Sequence, residues 1–242
     1  MTGTIINCLG IAIGVGWGLK HRQTGDKHFQ EAARIALGIA IIWVGLSTAW
    51  SGLGGGFKRS SGLLGITLLA LSLGNVTGRA LRLQKGFNRL GNDARKRFES
   101  AVQKGSPQHS FGDGLTTTAI LFCATPLGLL GALLEGCAGN PKPLVIKAVM
   151  DGLAAAAFVP VFGWGVLAAV VPVLAVQGTL TMGARLATPW LQGEAMLDPL
   201  LCVSGLLVFC VALVVFEIKR LEVANYLPSL IYAPLLGSWW LH

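Results

Sequence analysis

PLVIKAVMDGLAAAAFVPVFGWGVLAAVVPVLAVQGTLTMGARL, from Pro143 to Leu186, is an almost continuous apolar block. A helix that crosses a hydrocarbon core of roughly 30 Å needs about 20 residues. The block is therefore long enough for two crossings and far too long for one. The turn-like FGWGV (Phe162 to Val166) is where we expect the chain to reverse.

The same composition extends over the whole chain. Hydrophobic residues make up 53% of the 242 residues, charged residues only 12%, and the mean hydropathy is +0.64, whereas an average soluble domain has roughly 25% charged residues. We therefore expect an all-α membrane protein, with one integral membrane domain over residues 1–242. The apolar runs predict eight transmembrane helices, at 3–19, 31–51, 61–79, 112–134, 143–162, 164–185, 196–216 and 223–241.

Lys and Arg are distributed unevenly between the predicted loops. Most of the 19 fall in the segments 20–34, 79–104 and 219–220. Because positively charged short loops stay in the cytoplasm, we predict that both termini lie outside it, in a cell inner membrane. The few cations on the outer side are Lys58, Arg59, Lys142, Lys147 and Arg185. The outer interface would also hold Trp50, Trp190, Trp239 and Trp240.

The segment 80–110 is the one substantial stretch between predicted spans. Its apolar positions recur at helical spacing opposite a row of basic side chains, as in an amphipathic helix on an anionic leaflet. Two interpretations remain open, a surface linker that follows the positive-inside rule and a gating or docking element. Either one explains the net charge of +8 through membrane lipids as partners, and a nucleic acid is not expected.

Motifs for metal or cofactor chemistry are not evident. The five cysteines lack paired metal-ligand spacing, and His21, His28, His109 and His242 are scattered, so we predict neither a metal site nor a cofactor. A nucleophile and a base at motif spacing are also missing, which disfavours an intramembrane enzyme.

Two carboxylates stand out because they belong to a repeated Asp-Gly-Leu, at Asp113 and at Asp151. A charged Asp near the bilayer centre is costly, and such residues usually face a partner or a cavity. Asp151 has two compensations open to it: an ion pair with Lys147, four residues earlier on one helical face, or a break at Gly152 where the Asp caps a half-helix. For Asp113, capping of a helix start competes with a role in a site.

Short matches between the two halves of the chain suggest an inverted repeat. They pair span 1 with 6, 2 with 7, 3 with 8, and the two Asp-Gly-Leu helices, spans 4 and 5, with each other. Each pair has opposite direction under the predicted topology, so residues 1–134 and 143–242 are candidate repeats. Inverted repeats are common in secondary transporters, whose sites form near the midplane. Chance similarity between apolar segments is the alternative.

The candidate site consists of polar side chains that lipid would reject. Any one of them could instead bond a neighbouring helix. The candidate substrate- or ion-binding residues are Asp113, Thr116, Thr117, Asp151, Gln177, Asn7 and Asn225, and the candidate ion pair is Lys147 with Asp151.

Several motifs together resemble the bacterial membrane family catalogued as domain of unknown function 554, over essentially the whole chain. The resemblance implies a polytopic inner-membrane protein, at most a transporter of unspecified substrate. Acidic residues that family members often carry after the third span are not present here, where the chain reads GNVTGRALRLQKG. The motifs are GTIINCLGIAIGVGWG (Gly3 to Gly18), DGLTTTAILFC (Asp113 to Cys123), KAVMDGL (Lys147 to Leu153), PVLAVQG (Pro172 to Gly178) and VANYLPSLIYAPLL (Val223 to Leu236).

The leading functional hypothesis is a secondary transporter or channel for a small solute or ion. Asp113 and Asp151 would face a central cavity from opposite sides as cation or proton sites. The alternative is a non-transporting membrane scaffold, for example a homo-oligomer packed through Gly and Ala faces.

Overall fold

The computed structural model describes residues 1–20, 27–54, 56–104, 111–191, 193–219 and 221–240. The predicted loop residues His21, His109 and His242 lie outside these ranges. Within them, all regular structure is helical. The α-helices are α1 (Thr2–Lys20), α2 (Lys27–Gly52), α3 (Phe57–Ala80), α4 (Leu83–Lys104), α5 (Phe111–Cys123), α6 (Pro126–Ala138), α7 (Lys142–Phe162), α8 (Gly165–Ala168), α9 (Val170–Ala187), α10 (Glu194–Val215) and α11 (Ser229–Trp240), and two 3₁₀ turns cover Thr188–Leu191 and Val223–Tyr226.

Six helical segments of the described chain are long and apolar enough to cross a membrane, and the pair α5 and α6 would make a seventh. The Pro143 to Leu186 block forms two of the six, separated where Gly163 adopts a left-handed φ of 55°. The six are Thr2–Lys20, Glu31–Gly52, Phe57–Ala80, Lys142–Phe162, Gly165–Leu191 and Ala195–Val215.

The predicted fourth span, 112–134, is not one continuous helix. α5 and α6 meet at a bend of 61°. Pro126 disfavours the helical conformation in the residue before it, and Thr125 is extended, with φ −113° and ψ 133°. Thr125 then caps α6, where its side chain accepts a hydrogen bond from the Gly128 N–H. The prediction of an unbroken span missed this proline-directed break.

The predicted eighth span, 223–241, is also divided. A 3₁₀ turn at Val223–Tyr226 precedes α11, which has only 12 residues. At 1.5 Å per residue α11 is about 18 Å long, which is short of a hydrocarbon core. Pro228 stands at the division, where it prevents one continuous helix. Eight continuous spans are therefore not what the described residues form.

Glycine permits close contact between α1 and α7. The two helices run parallel, because Gly3 lies against Leu144 and Gly18 against Ala156. Midway, a Cβ on Gly14 would lie 2.0 Å from the carbonyl oxygen of Gly152. Small residues at membrane helix contacts allow this approach, which replaces the hydrophobic drive that lipid does not supply.

α2 and α10 pack in the same way but antiparallel. Gly38 meets Phe216 near one end of the pair and Gly52 meets Asp198 near the other. A Cβ on Gly205 would lie 2.6 Å from the carbonyl oxygen of Gly45. α11 packs antiparallel on α3, since Gly74 contacts Ser229 and Gly62 is nearest to Trp240.

α4 is the polar helix of the bundle, and its inner face rests on the ends of α5 and α7. Phe98 makes edge-on ring contacts with Phe158 and Phe162, at centroid distances of 5.3 and 5.9 Å. On the outer face Arg95 donates a hydrogen bond to Glu99 at 2.7 Å, which raises the pKa of the Arg95 guanidinium. α4 thus covers one end of the bundle with a basic outer surface.

Candidate functional site

Lys147 and Asp151 form an ion pair inside the bundle. They lie one turn apart on α7, and the ammonium group donates a hydrogen bond to Asp151 Oδ2. Lys147 is 1% exposed and Asp151 6%. α7 continues through Gly152 to Phe162, so the half-helix start that was one option for Asp151 does not occur. The negative charge of Asp151 is compensated instead by the Lys147 ammonium, four residues earlier.

Two amides from other helices complete the surroundings of the carboxylate. Asn7 on α1 donates through Nδ2 to Asp151 Oδ2 and to Gln177 Oε1, both at 3.1 Å. Gln177 belongs to α9 and is 2% exposed. The other ends of both amides, Asn7 Oδ1 and Gln177 Nε2, are buried and have no partner within the described part of the chain.

The break between α5 and α6 lies beside these groups. Gly128 is in the first turn of α6, and a Cβ placed on it would lie 2.8 Å from Lys147 Cε and 3.3 Å from Gln177 Nε2. Only glycine allows the lysine stem so near the backbone here. The N-terminus of a helix carries a partial positive charge. In α6 the N–H groups of Gly128 and Leu129 already bond to Thr125, so α6 contributes this charge more than free donors.

We call Asn7, Lys147, Asp151 and Gln177, together with the Thr125–Gly128 turn, the central cluster. Asp151 is near the middle of the 21-residue helix α7, and the turn divides α5 from α6. Helices α1, α6, α7 and α9 thus bring an ion pair, two amides and a helix N-terminus to one depth. Such a set can hold a small polar or charged ligand and can carry a proton on Asp151.

A second polar layer lies one turn from the cluster, toward the start of α1. Glu135 on α6 accepts hydrogen bonds from the backbone N–H groups of Gly3, at 2.7 Å, and Thr4, at 3.3 Å. The Thr4 hydroxyl lies 3.4 Å from that of Thr181 on α9. Glu135 directly follows the predicted span 112–134, and the sequence analysis does not predict this capping role. The spacing of Thr4 to Asn7 and of Gln177 to Thr181 was the available signal, because each pair shares a helical face.

The remaining candidate residues do not join the cluster in the same way. Asp113 is in the first turn of α5, its side chain is 55% exposed, and it lies 3.9 Å from Arg97 of α4. Thr116 is exposed and bonds to the Gly112 carbonyl of its own helix. Thr117 is buried, and its hydroxyl has no partner among the residues described.

Asn225 belongs to a joint between α4 and the 3₁₀ turn at Val223–Tyr226. Its Oδ1 accepts from the Gln84 N–H at 3.0 Å, and Gln84 Oε1 accepts from the Ala224 N–H at 3.1 Å. A Cβ on Gly78 would lie 1.9 Å from the Asn225 carbonyl oxygen. These contacts give Asn225 a structural role at the start of α4.

An apolar groove of about 380 Å³ opens between α6, α9, α10 and α11. Leucine and alanine side chains form most of its lining, among them Leu133, Leu180, Leu201 and Leu230. Neither residue of the Lys147–Asp151 pair lines it. A groove of this composition suits lipid chains and is separate from the central cluster.

The apolar spans and the buried ion pair define the class of this chain: it is a polytopic helical membrane protein. Residues 2–238 match the family described as "Protein of unknown function (DUF554)", and the chain belongs to that family. The resemblance inferred from its motifs is thereby confirmed.

Two relatives are similar over nearly their full lengths. "Uncharacterized protein YqgA" of Escherichia coli (strain K12) is 34% identical over 239 residues, which cover 98% of this chain and 97% of that protein. "Uncharacterized membrane protein YdfK" of Bacillus subtilis (strain 168) is 24% identical over 236 residues, covering 98% and 95%. No solved structure matches the chain.

Proposed function

We propose that this protein is a secondary transporter or channel for a small solute or ion in the bacterial inner membrane, and that the central cluster is its site. The observation that carries the proposal is the buried Lys147–Asp151 pair, hydrogen-bonded to Asn7, beside a broken helix. Discontinuous helices that meet near the midplane are the usual construction of transporter sites.

Energetics favour function over stability as the reason for this pair. Apolar residues of similar volume in place of a buried ion pair are often neutral or stabilising. A charge at the bilayer centre costs roughly 2.5 to 3.5 kcal/mol on insertion scales, and ionisable residues there usually mark ion or substrate pathways. A scaffold would gain nothing from Lys147 and Asp151 that leucines could not supply.

The helix directions support an inverted repeat, in a register that differs from the Asp-Gly-Leu alignment. α9 runs parallel to α6, with Gly128 near Gln177 and Gly136 near Thr181, as α1 runs parallel to α7. A pseudo-twofold axis in the membrane plane that superposes α1 on α9 must also superpose α7 on α6, because α7 is the parallel partner of α1 and α6 is that of α9. The counterpart of α7 is then α6, and α5 with its Asp113 has no part in that pairing.

The same axis requires each exchanged pair to be antiparallel, and the contacts agree. Thr4 lies near Thr181 and Asn7 bonds to Gln177, so α1 and α9 run antiparallel. Gly131 lies against Leu144 and Gly128 against Lys147, so α6 and α7 run antiparallel. The antiparallel pairs α2 with α10 and α3 with α11 fit the same exchange. Because Val223–Trp240 packs along α3, we count it as the eighth crossing of the proposed topology.

The proposed orientation places both termini outside the cytoplasm. The end of the bundle where α1 begins also holds the ends of α2, α9 and α11, with exposed tryptophans. The scarcity of cations at this end supports an outer location, and the tryptophans are consistent with a membrane interface. α4, with its basic outer surface, would then lie at the cytoplasmic leaflet. The exposed tryptophans at this end are Trp50, Trp190, Trp239 and Trp240.

Access of water to the central cluster from both sides is the property that separates a transporter or channel from a scaffold. Cys123 ends α5, directly before the break. A variant that keeps Cys123 as its one cysteine would be placed in sealed vesicles of each orientation. We expect a small, charged, membrane-impermeant methanethiosulfonate reagent to modify Cys123 from either side.

A matched control keeps only Cys210. Like Cys123, it is partly buried and packs on an apolar cluster, but it lies on α10, which contributes no residue to the central cluster. We expect no modification of that variant from either side. Modification of Cys123 from neither side, or from one side under every condition of pH and salt, would favour the scaffold and refute the transport proposal.

A further inference from the structure

Hydrogen-bond donors outnumber acceptors on one side of the central cluster. Asp151 accepts one of the three N–H groups that a lysine ammonium carries. Gln177 is 2% exposed. Its Nε2 is directed at the first turn of α6 and has no hydrogen-bond partner in the described chain. The first-turn N–H groups of α6 add a partial positive charge at the same place.

The charges of the cluster are unequal on that side. The Lys147 ammonium and the α6 N-terminus are both positive, and the carboxylate of Asp151 is the ion-pair partner of Lys147. Thr125 satisfies the Gly128 N–H but brings no charge. A cation placed between Gln177 Nε2 and α6 would meet the Lys147 ammonium and the positive end of α6, whereas an anion would meet two side-chain donors, Lys147 Nζ and Gln177 Nε2.

Resting on the proposed transport function, we infer that the substrate is a small monoanion, bound between Lys147, Gln177 and the first turn of α6, and that one proton binds to Asp151 with it. The anion replaces Asp151 as the counterion of Lys147. One O–H bond forms on the Asp151 carboxyl when the pair enters and breaks when it leaves. The transported unit, one anion and one proton, is electrically neutral.

The unpartnered oxygen of Asn7 has a place in this scheme. Asn7 Nδ2 now donates to the Asp151 carboxylate. A half-turn of the amide presents Oδ1, which accepts a hydrogen bond from the protonated carboxyl. The other ionisable groups whose charge couples to this position are Lys147 on α7, Cys8 on α1 and Cys123 on α5. Both thiols are ordinarily uncharged at neutral pH. Lys147 has to keep its charge to hold the anion, so the scheme assigns the exchanged proton to Asp151.

The test is calorimetric titration of the full chain in lipid nanodiscs with the choline salts of acetate, lactate and chloride, which measures anion binding. Titration with sodium chloride, compared with choline chloride, measures sodium binding. Because the bound state holds one more proton, anion affinity should rise about tenfold for each unit that the pH falls. Asp151→Asn mimics the protonated carboxyl, so it should bind the anion at least as tightly as the parent, with no pH dependence.

Two further variants keep the test decisive if a single change impairs folding. The double variant Lys147→Met with Asp151→Asn is neutral and should show no anion binding. Gln177→Leu should weaken binding at least tenfold, whereas Thr179→Val, which alters an exposed residue of the same helix, should bind as the parent does.

Loss of binding in Asp151→Asn, together with sodium binding by the parent, would overturn the inference in favour of a cation site. An absence of anion binding at every pH would also overturn it, and the pair would then serve structure or carry a different solute. These outcomes are separate from failure of the transport proposal, which the two-sided modification of Cys123 tests without any substrate.

Discussion

The two Asp-Gly-Leu segments have the same three residues and opposite surroundings. Asp113 stands in the first turn of α5, more than half exposed and near Arg97, whereas Asp151 stands in the middle of α7, buried against Lys147 and Asn7. A charged carboxylate costs little free energy at a helix start in contact with water. Inside a bundle the same charge is destabilising unless it is paired. Depth, not the local motif, therefore determines what each aspartate does.

The glycines of the two segments, in contrast, share a role. A Cβ on Gly114 would lie 2.9 Å from the Phe162 Cβ, and one on Gly152 would lie 2.7 Å from the Gly10 carbonyl oxygen. Both permit a second helix or turn to pack at backbone distance. The repeated motif is thus a packing element in both copies and part of the candidate site in one.

The largest contrast should come from removal of the cation beside each aspartate. Lys147→Met leaves Asp151 buried without its counterion, and we expect it to lower the free energy of unfolding by about 3–5 kcal/mol. Arg97→Met removes the exposed partner of Asp113 and should cost less than about 1 kcal/mol. Thermal unfolding in detergent micelles, followed by circular dichroism, measures both.

The double variant Lys147→Met with Asp151→Asn serves as the control for the first of these effects. It has no buried charge, so most of the lost stability should return. Equal destabilisation by Lys147→Met and Arg97→Met would contradict the distinction between a buried and an exposed pair.

Substitution of the two motif glycines should lower stability by a smaller amount, and by a similar amount in both copies. Gly152→Ala and Gly114→Ala each force backbone or a packed ring to move, at a cost of about 1–3 kcal/mol. Gly16→Ala on α1, where a Cβ would meet nothing within 4 Å, should be neutral or slightly stabilising because alanine is the better helix former. Unfolding midpoints of the three variants in one detergent would show whether the shared part of the motif is its glycine.

Much of the fold follows from the sequence, because apolar runs of sufficient length report membrane crossings directly. Six expected spans have helical counterparts, including both halves of the Pro143 to Leu186 block. The break at Thr125 and the division at Pro228 were not predicted. Proline at those positions was visible, but whether it kinks, ends or divides a helix depends on the neighbours that satisfy the freed backbone groups.

The candidate site was predictable in part. The spacing of Lys147 and Asp151 fixes their common face on any helix, so the pair could be inferred. Asn7 and Gln177 could be named as polar residues in spans, but their convergence depends on how α1 and α9 pack. Glu135 looked like a residue at a span end, and only the fold shows that it caps α1. For Asp113 the sequence left a helix start and a role in a site as alternatives, and its position in the first turn of α5, more than half exposed, depends on where that helix begins.

The smallest effect separates the two aspartates by their response to salt. Asp113→Asn removes an exposed charge from a first turn, which should cost about 0.3–1 kcal/mol at low ionic strength. Because the Debye length falls to about 3 Å at 1 M salt, that cost should vanish there. The deficit of Lys147→Met should persist, since Asp151 is buried and salt screens buried charges much less. Unfolding temperatures of Asp113→Asn, Lys147→Met and the parent at low and high sodium chloride measure the difference. A salt-insensitive loss in Asp113→Asn would mean that Asp113 is buried in the working protein, and would return it to the central site as the partner of Asp151.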